Sequence, residues 1–129
     1  MSALNEDAIT LLSTTTIASL ASVAATTLYT VPAGKKCVLT EAWLEVGGDV
    51  GASLAFTIGR STALTDFVGT TNGDNLDADE DIMVVAPVPS ATPSTNKIYP
   101  AAVIIQINVA VGGNAVAGVV YLFGFLIDV

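Results

Sequence analysis

The hydrophobic pattern is dominated by an uncharged run toward the C-terminus, where no charged residue separates Lys97 from Asp128. Ala101 to Val111 reads AAVIIQINVAV. At period two, Val103, Ile105, Ile107, Val109 and Val111 fall on one face, and Ile104, Gln106, Asn108 and Ala110 on the other. Gly112-Gly113-Asn114 interrupts the run with residues that tolerate positive φ. The pattern then resumes, with Ala117, Val119, Tyr121, Phe123, Phe125 and Ile127 on one face and Gly118, Val120, Leu122, Gly124 and Leu126 on the other. Two long strands joined by a tight turn, a β-hairpin, are expected. The second strand is apolar on both faces, so one face should line a core and part of the other should be covered by a neighbouring subunit. A membrane-spanning helix requires about 20 apolar residues. Gln106, Asn108 and the Gly-Gly-Asn turn divide the run into shorter pieces, and neither has basic flanks in a positive-inside arrangement.

Upstream, the same reading gives further strands. Thr27 to Val31 is one, Pro32-Ala33-Gly34 a tight turn suited to a type I turn with a following αL residue, and Lys36 to Val46 a long second strand. Strict alternation places Val38, Thr40, Ala42, Leu44 and Val46 on one side and Cys37, Leu39, Glu41, Trp43 and Glu45 on the other. Ser53 to Ile58 forms a third strand, with Leu54, Phe56 and Ile58 facing inward. Ile82 to Ala86 is a short buried strand. Gly59 to Asp81 reads as a connecting loop with a short helical turn near Ala63 to Phe67. Pro87 to Asn96 reads as a stiff exposed loop, and Pro100 as a strand edge or bend. Met1 to Asp7 is polar. Ala8 to Thr27 is rich in Ser, Thr and Ala and lacks clean periodicity. A helical face through Ile9, Leu12, Thr16 and Leu20 is opposed by the Ser-Thr-Thr-Thr stretch, which favours an extended arm and a first strand around Thr14 to Leu20.

Seven or eight strands with no convincing helix imply an all-β fold. We expect an antiparallel β-sandwich, with a jelly roll as its natural closed form and an immunoglobulin-type Greek key as the alternative, although the Cys…Trp…Cys spacing of the latter is absent. Residues 1–25 form the N-terminal arm with a possible first strand, and residues 26–129 a single sandwich domain.

Composition sharpens this picture. Of the 129 residues, 52% are hydrophobic and 12% charged, about half the usual charged fraction. A soluble monomer would struggle to cover its surface with so few charges, so an obligate assembly component, a homo-oligomer, is expected. The net charge of −8, with only Lys35, Lys36, Arg60 and Lys97 basic, offers no footprint for nucleic acid or an acidic membrane. The first 30 residues carry no Lys or Arg, so the basic start of a secretory signal is missing.

Candidate chemistry is sparse. The single cysteine, Cys37, sits within a strand and reads as a small buried apolar residue. The chain has no histidine to activate it. Asp74, Asp77, Asp79, Glu80 and Asp81 lie within eight residues. The alternate Asp77, Asp79 and Asp81 could cup a calcium ion, but the glycine and closing glutamate of an EF-hand are missing, and a solvated acidic loop is the simpler reading. A glycosidase pair would want a sugar-stacking aromatic in that loop, and none is there. No catalytic residue, cofactor site or metal site is assigned, and an enzyme is not expected.

The segment Leu28-Tyr29-Thr30-Val31-Pro32-Ala33-Gly34-Lys35-Lys36-Cys37-Val38-Leu39-Thr40 resembles the LYTVPAGK opening hairpin of many tailed-bacteriophage virion proteins. These include small β-sandwich head decoration (cement) proteins and some tail and baseplate proteins. The resemblance implies a virion protein assembled in the host cytoplasm that sits on the outer capsid surface. There, often as trimers at local threefold points, it would clamp neighbouring major capsid subunits. It carries no site residues over, because the motif is a structural turn. Two rivals stay open. One is a tail or baseplate component, or a host-surface glycan-binding module, using the Pro-rich and acidic loops. The other is a non-viral extracellular or pilus-like β-subunit, disfavoured by the missing export signal.

Overall fold

A computed structural model describes residues 9–88, 92–95 and 97–129. Its nine strands are β1 (Thr10–Ile17), β2 (Ala25–Thr30), β3 (Lys35–Val46), β4 (Ala55–Arg60), β5 (Ala63–Asn72), β6 (Ile82–Val85), β7 (Ile98–Tyr99), β8 (Ile104–Val111) and β9 (Gly118–Asp128). They form two antiparallel sheets. The first runs β1-β9-β3-β6, with β7 also paired to β3, and the second β2-β8-β4-β5. Leu39, Leu44, Leu122 and Val120 from the first sheet meet Phe56, Ile58, Ile105 and Ile107 from the second, all at most 1% exposed. The fold is thus the antiparallel β-sandwich that the pattern implies.

The route of the chain differs from the expectation at both proposed hairpins. β2 and β3 lie in different sheets, as do β8 and β9. The Pro32–Gly34 turn has the anticipated geometry, with Gly34 at φ 75°, but it crosses the sandwich. The hydrogen bonds that a hairpin would need are already committed elsewhere. Val31 N donates to Val103 O at 3.0 Å, and Val31 O accepts from Ala102 N at 2.9 Å. Gly113 N likewise donates to Leu20 O at 2.9 Å and Asn114 N to Val50 O at 2.8 Å. Neither glycine of that turn has positive φ. Their small size serves close approach instead, because a Cβ would stand 2.3 Å from Ala21 O at Gly112 and 2.5 Å from Val50 O at Gly113. A strand–turn–strand pattern specifies the turn and leaves open which sheet receives the second strand. The chain changes sheet at every connection except β4–β5 and β6–β7.

Other boundaries also shift. The segment read as a loop with a helical turn contains β5, which hydrogen-bonds to β4 with two register shifts. Those shifts and the run of Thr, Asp and Gly break its period. β1 begins at Thr10, earlier than expected, and pairs with β9 of its own chain; Met1 to Asp7 lies outside the described residues, as does part of the Pro87–Asn96 loop. β6 is only half buried, with Ile82 47% and Val84 58% exposed. In β3 a bulge between Leu39 and Glu41 changes the parity. Cys37 and Leu39 before it, and Ala42, Leu44 and Val46 after it, therefore all enter the core, which strict alternation had divided between two faces. No helix among the described residues is long and apolar enough to cross a membrane.

Candidate functional site

Cys37 is fully buried. Burial pushes its thiol up to about 11, so it is a poor thiolate source. The acidic loop is stitched down by its own backbone. Val46 N donates to Asp81 O at 3.0 Å and Glu80 N to Val46 O at 2.9 Å. Leu76, 2% exposed, anchors it to the core. Asp81 Oδ2 accepts from the amides of Asp77 and Ala78, both at 3.1 Å. The carboxylate that would complete a cation cup thus closes the turn. Among the described residues no three His, Cys, Asp or Glu side chains gather as a metal site would require.

The distinctive surface is the outer face of the β1-β9-β3-β6 sheet. Gly118, Val120, Leu122 and Gly124 of β9 point into the sandwich, so Val119, Tyr121, Phe123 and Phe125 point outward, partly exposed. Sequence periodicity alone could not choose between these faces. Gly124 belongs on the inside because the paired strand approaches closely there, and a Cβ would stand 2.2 Å from Val38 O. Register sets the outer rows. Tyr121 pairs with Trp43, which pairs with Val84; Val119 pairs with Glu45, which pairs with Ile82; Phe125 pairs with Val38, which pairs with Ile98. Leu11, 47% exposed, stands beside Phe123 from β1. Trp43 contacts Phe123 at 4.8 Å between ring centroids and Tyr121 at 6.4 Å, inclined at 46° and 66°. Two carboxylates lie among these rings. Trp43 Nε1 donates to Glu41 at 2.5 Å, and Tyr121 Oη donates to Glu45 at 2.6 Å. The latter bond holds the Tyr121 hydroxyl above the ordinary tyrosine range.

The opposite outer face is different in kind. Register on β2 and β8 places Ala25, Thr27, Gln106 and Asn108 there, and Gln106 Nε2 donates to Thr27 Oγ1 at 3.2 Å, whereas Thr57 of β4, on the same side of the sheet, is covered and only 3% exposed. Across β2 and β8 this face is mostly small and polar, with Ile104, 37% exposed, at its end. The contrast was partly legible in Gln106 and Asn108. The gathering of Trp43, Val84 and Ile98 beside β9 was not, because it depends on strand order.

The sandwich as a whole defines an antiparallel all-β class of protein. No family model and no curated protein matches the chain. Solved structures do share its fold. A chain in the acidic stable capsid structure of Helicobacter pylori bacteriophage KHP30 aligns with a TM-score of 0.63 and 17% identity, covering 96% of this chain and 94% of that one. A chain in the cyanophage Pam1 capsid asymmetric unit aligns with a TM-score of 0.52 and 10% identity, covering 91% and 84%. At these identities the likeness establishes fold, and the coverage means that the KHP30 chain is of nearly the same length.

Proposed function

We propose that this chain is a structural virion protein: a capsid decoration (cement) protein that stabilises a bacteriophage head by bridging major capsid subunits from the outer surface. The observation that carries the reading is the two-sidedness of the sandwich. One outer face is aromatic and aliphatic, and the other is mostly small and polar across β2 and β8, as suits a subunit seated on a support with its far side in water. A tile of a closed shell would need contacts around its whole perimeter. The fold shared with similarly sized chains in two phage capsid structures supports the same reading, as does the acidic surface, which gives no purchase on nucleic acid.

In this reading the subunit is added to the expanded head in the host cytoplasm, as trimers at local threefold points. Repetition over many equivalent sites makes modest individual contacts effective. The purified protein should co-sediment with expanded empty capsids that lack it and remain in the supernatant without them. Its remaining in the supernatant in both cases overturns the proposal.

A further inference from the structure

We propose that the outer face of the β1-β9-β3-β6 sheet is the docking surface, and that its occupant is a larger protein surface with an apolar centre and Lys or Arg side chains opposite Glu41 and Glu45. This rests on the decoration reading and identifies the face and the chemistry of the partner.

Three observations select that occupant. The first is charge. Glu41 and Glu45 project from the middle of the face, each using one hydrogen bond to a neighbouring ring, and each carboxylate retains lone pairs for a cation. A second copy of this chain would bring two further glutamates, against Lys36 on the same face and Lys97 at its edge beside Ile98. Arg60 is engaged by Asp66 in the other sheet, and Lys35 is ion-paired with Asp128.

The second is area. Four strands at ~4.8 Å spacing and the outward run of β9 at ~3.4 Å per residue give a plane on the order of 400 Å². Two copies stacked face to face would bury on the order of 800 Å² in total, short of the ~1,200 Å² at which specific stable interfaces begin. A larger partner can extend the contact over the rim, where Leu11, Ile98 and Ile127 are 47%, 57% and 36% exposed.

The third is ring geometry. Carbohydrate platforms need aromatic faces open and flat to a sugar. Here Trp43 and its neighbours are tilted against each other and flanked by the branched side chains of Val84, Ile82 and Val38. Such a surface packs against other side chains.

The test uses the whole protein and expanded capsids lacking it. Ile82→Asp and Val84→Asp place charge at exposed positions of this face, and Thr27→Asp does so on the opposite one. Wild type and T27D should co-sediment equally, whereas I82D and V84D should bind at least tenfold more weakly while keeping the free oligomeric state of the wild type by light scattering. Trp43, the only tryptophan, should shift its emission to the blue when wild type binds. Full binding by I82D and V84D overturns the face assignment and leaves the decoration reading standing. Dissociation of a free wild-type oligomer by V84D overturns the occupant, because a second copy then covers the face. Failure of wild type itself to bind capsids, or its binding to cell-surface polysaccharide through this face instead, overturns both.

Discussion

Replacing Gly124 by alanine should lower stability by about 3 kcal/mol, at the upper end of typical overpacking costs, and replacing it by valine should leave no folded protein. Gly124 lies on the core side of β9, the central strand between β1 and β3. Both neighbours bulge beside it, β1 between Leu11 and Ser13 and β3 between Leu39 and Glu41. A Cβ at this position would stand 2.2 Å from the Val38 carbonyl oxygen and 3.1 Å from both Leu39 Cα and a Leu12 methyl. Carbonyl and Cα belong to the backbone of the paired strand, so relief requires breaking the ladder, and no rotamer change suffices. Gly47 is the contrasting site. Its Cβ would meet nothing closer than Ala117 O at 3.6 Å, so Gly47→Ala should change stability little. Urea titrations followed by Trp43 fluorescence distinguish the two, and equal midpoints would contradict the packing described.

Asp66→Ala should cost about 2–3 kcal/mol, set mainly by a buried donor left without its acceptor. Asp66 Oδ1 accepts from Arg60 N at 3.1 Å and from Tyr99 Oη at 3.0 Å, and its Oδ2 from Arg60 Nε at 2.5 Å. Arg60 and Asp66 belong to the β4–β5 hairpin of one sheet, and Tyr99 to β7 of the other, so a single carboxylate ties the layers together. Tyr99 is fully buried. Burial, reinforced by the adjacent Asp66 carboxylate, raises its hydroxyl well above the ordinary range. Without Asp66 that hydroxyl has no acceptor. The Arg60 side chain is 30% exposed, and water can replace part of what it loses, which keeps the cost below that of breaking a fully buried pair. Asp66→Asn retains an acceptor and should cost about half as much. A loss below about 0.5 kcal/mol for Asp66→Ala, measured by the same titrations, would contradict this account of the cluster.

Much of the sandwich was legible because burial imposes period two. Ile105, Ile107 and Val109, and separately Leu54, Phe56 and Ile58, take the inward positions their spacing implies. What the spacing could not carry was parity across the bulge in β3 or the destination of each turn. A bulge inserts one residue without any composition signal, and it moved Cys37 and Leu39 to the side of Ala42 and Leu44. A turn that crosses between sheets uses the same proline and glycine as one that closes a hairpin. The candidate face suffered most. Its rows combine β9 with β3, β6 and β7, segments distant in the chain, and Ile82 to Ala86 looked like ordinary buried strand. Its Ile82 and Val84 turned out to continue the exposed apolar surface begun by Phe123 and Phe125.

That surface resolves which face of β9 is which. Both faces of the strand are apolar, and glycine, valine and leucine fill the inside while the rings lie outside. The central claim is that these rings are covered in the native assembly. Hydroxyl-radical footprinting of free and capsid-bound protein tests it most directly. Trp43, Tyr121 and Phe123 should lose most of their labelling on capsids, while Tyr29, partly exposed on the other sheet, keeps its own. Unchanged labelling of the three rings in the bound state would contradict the claim.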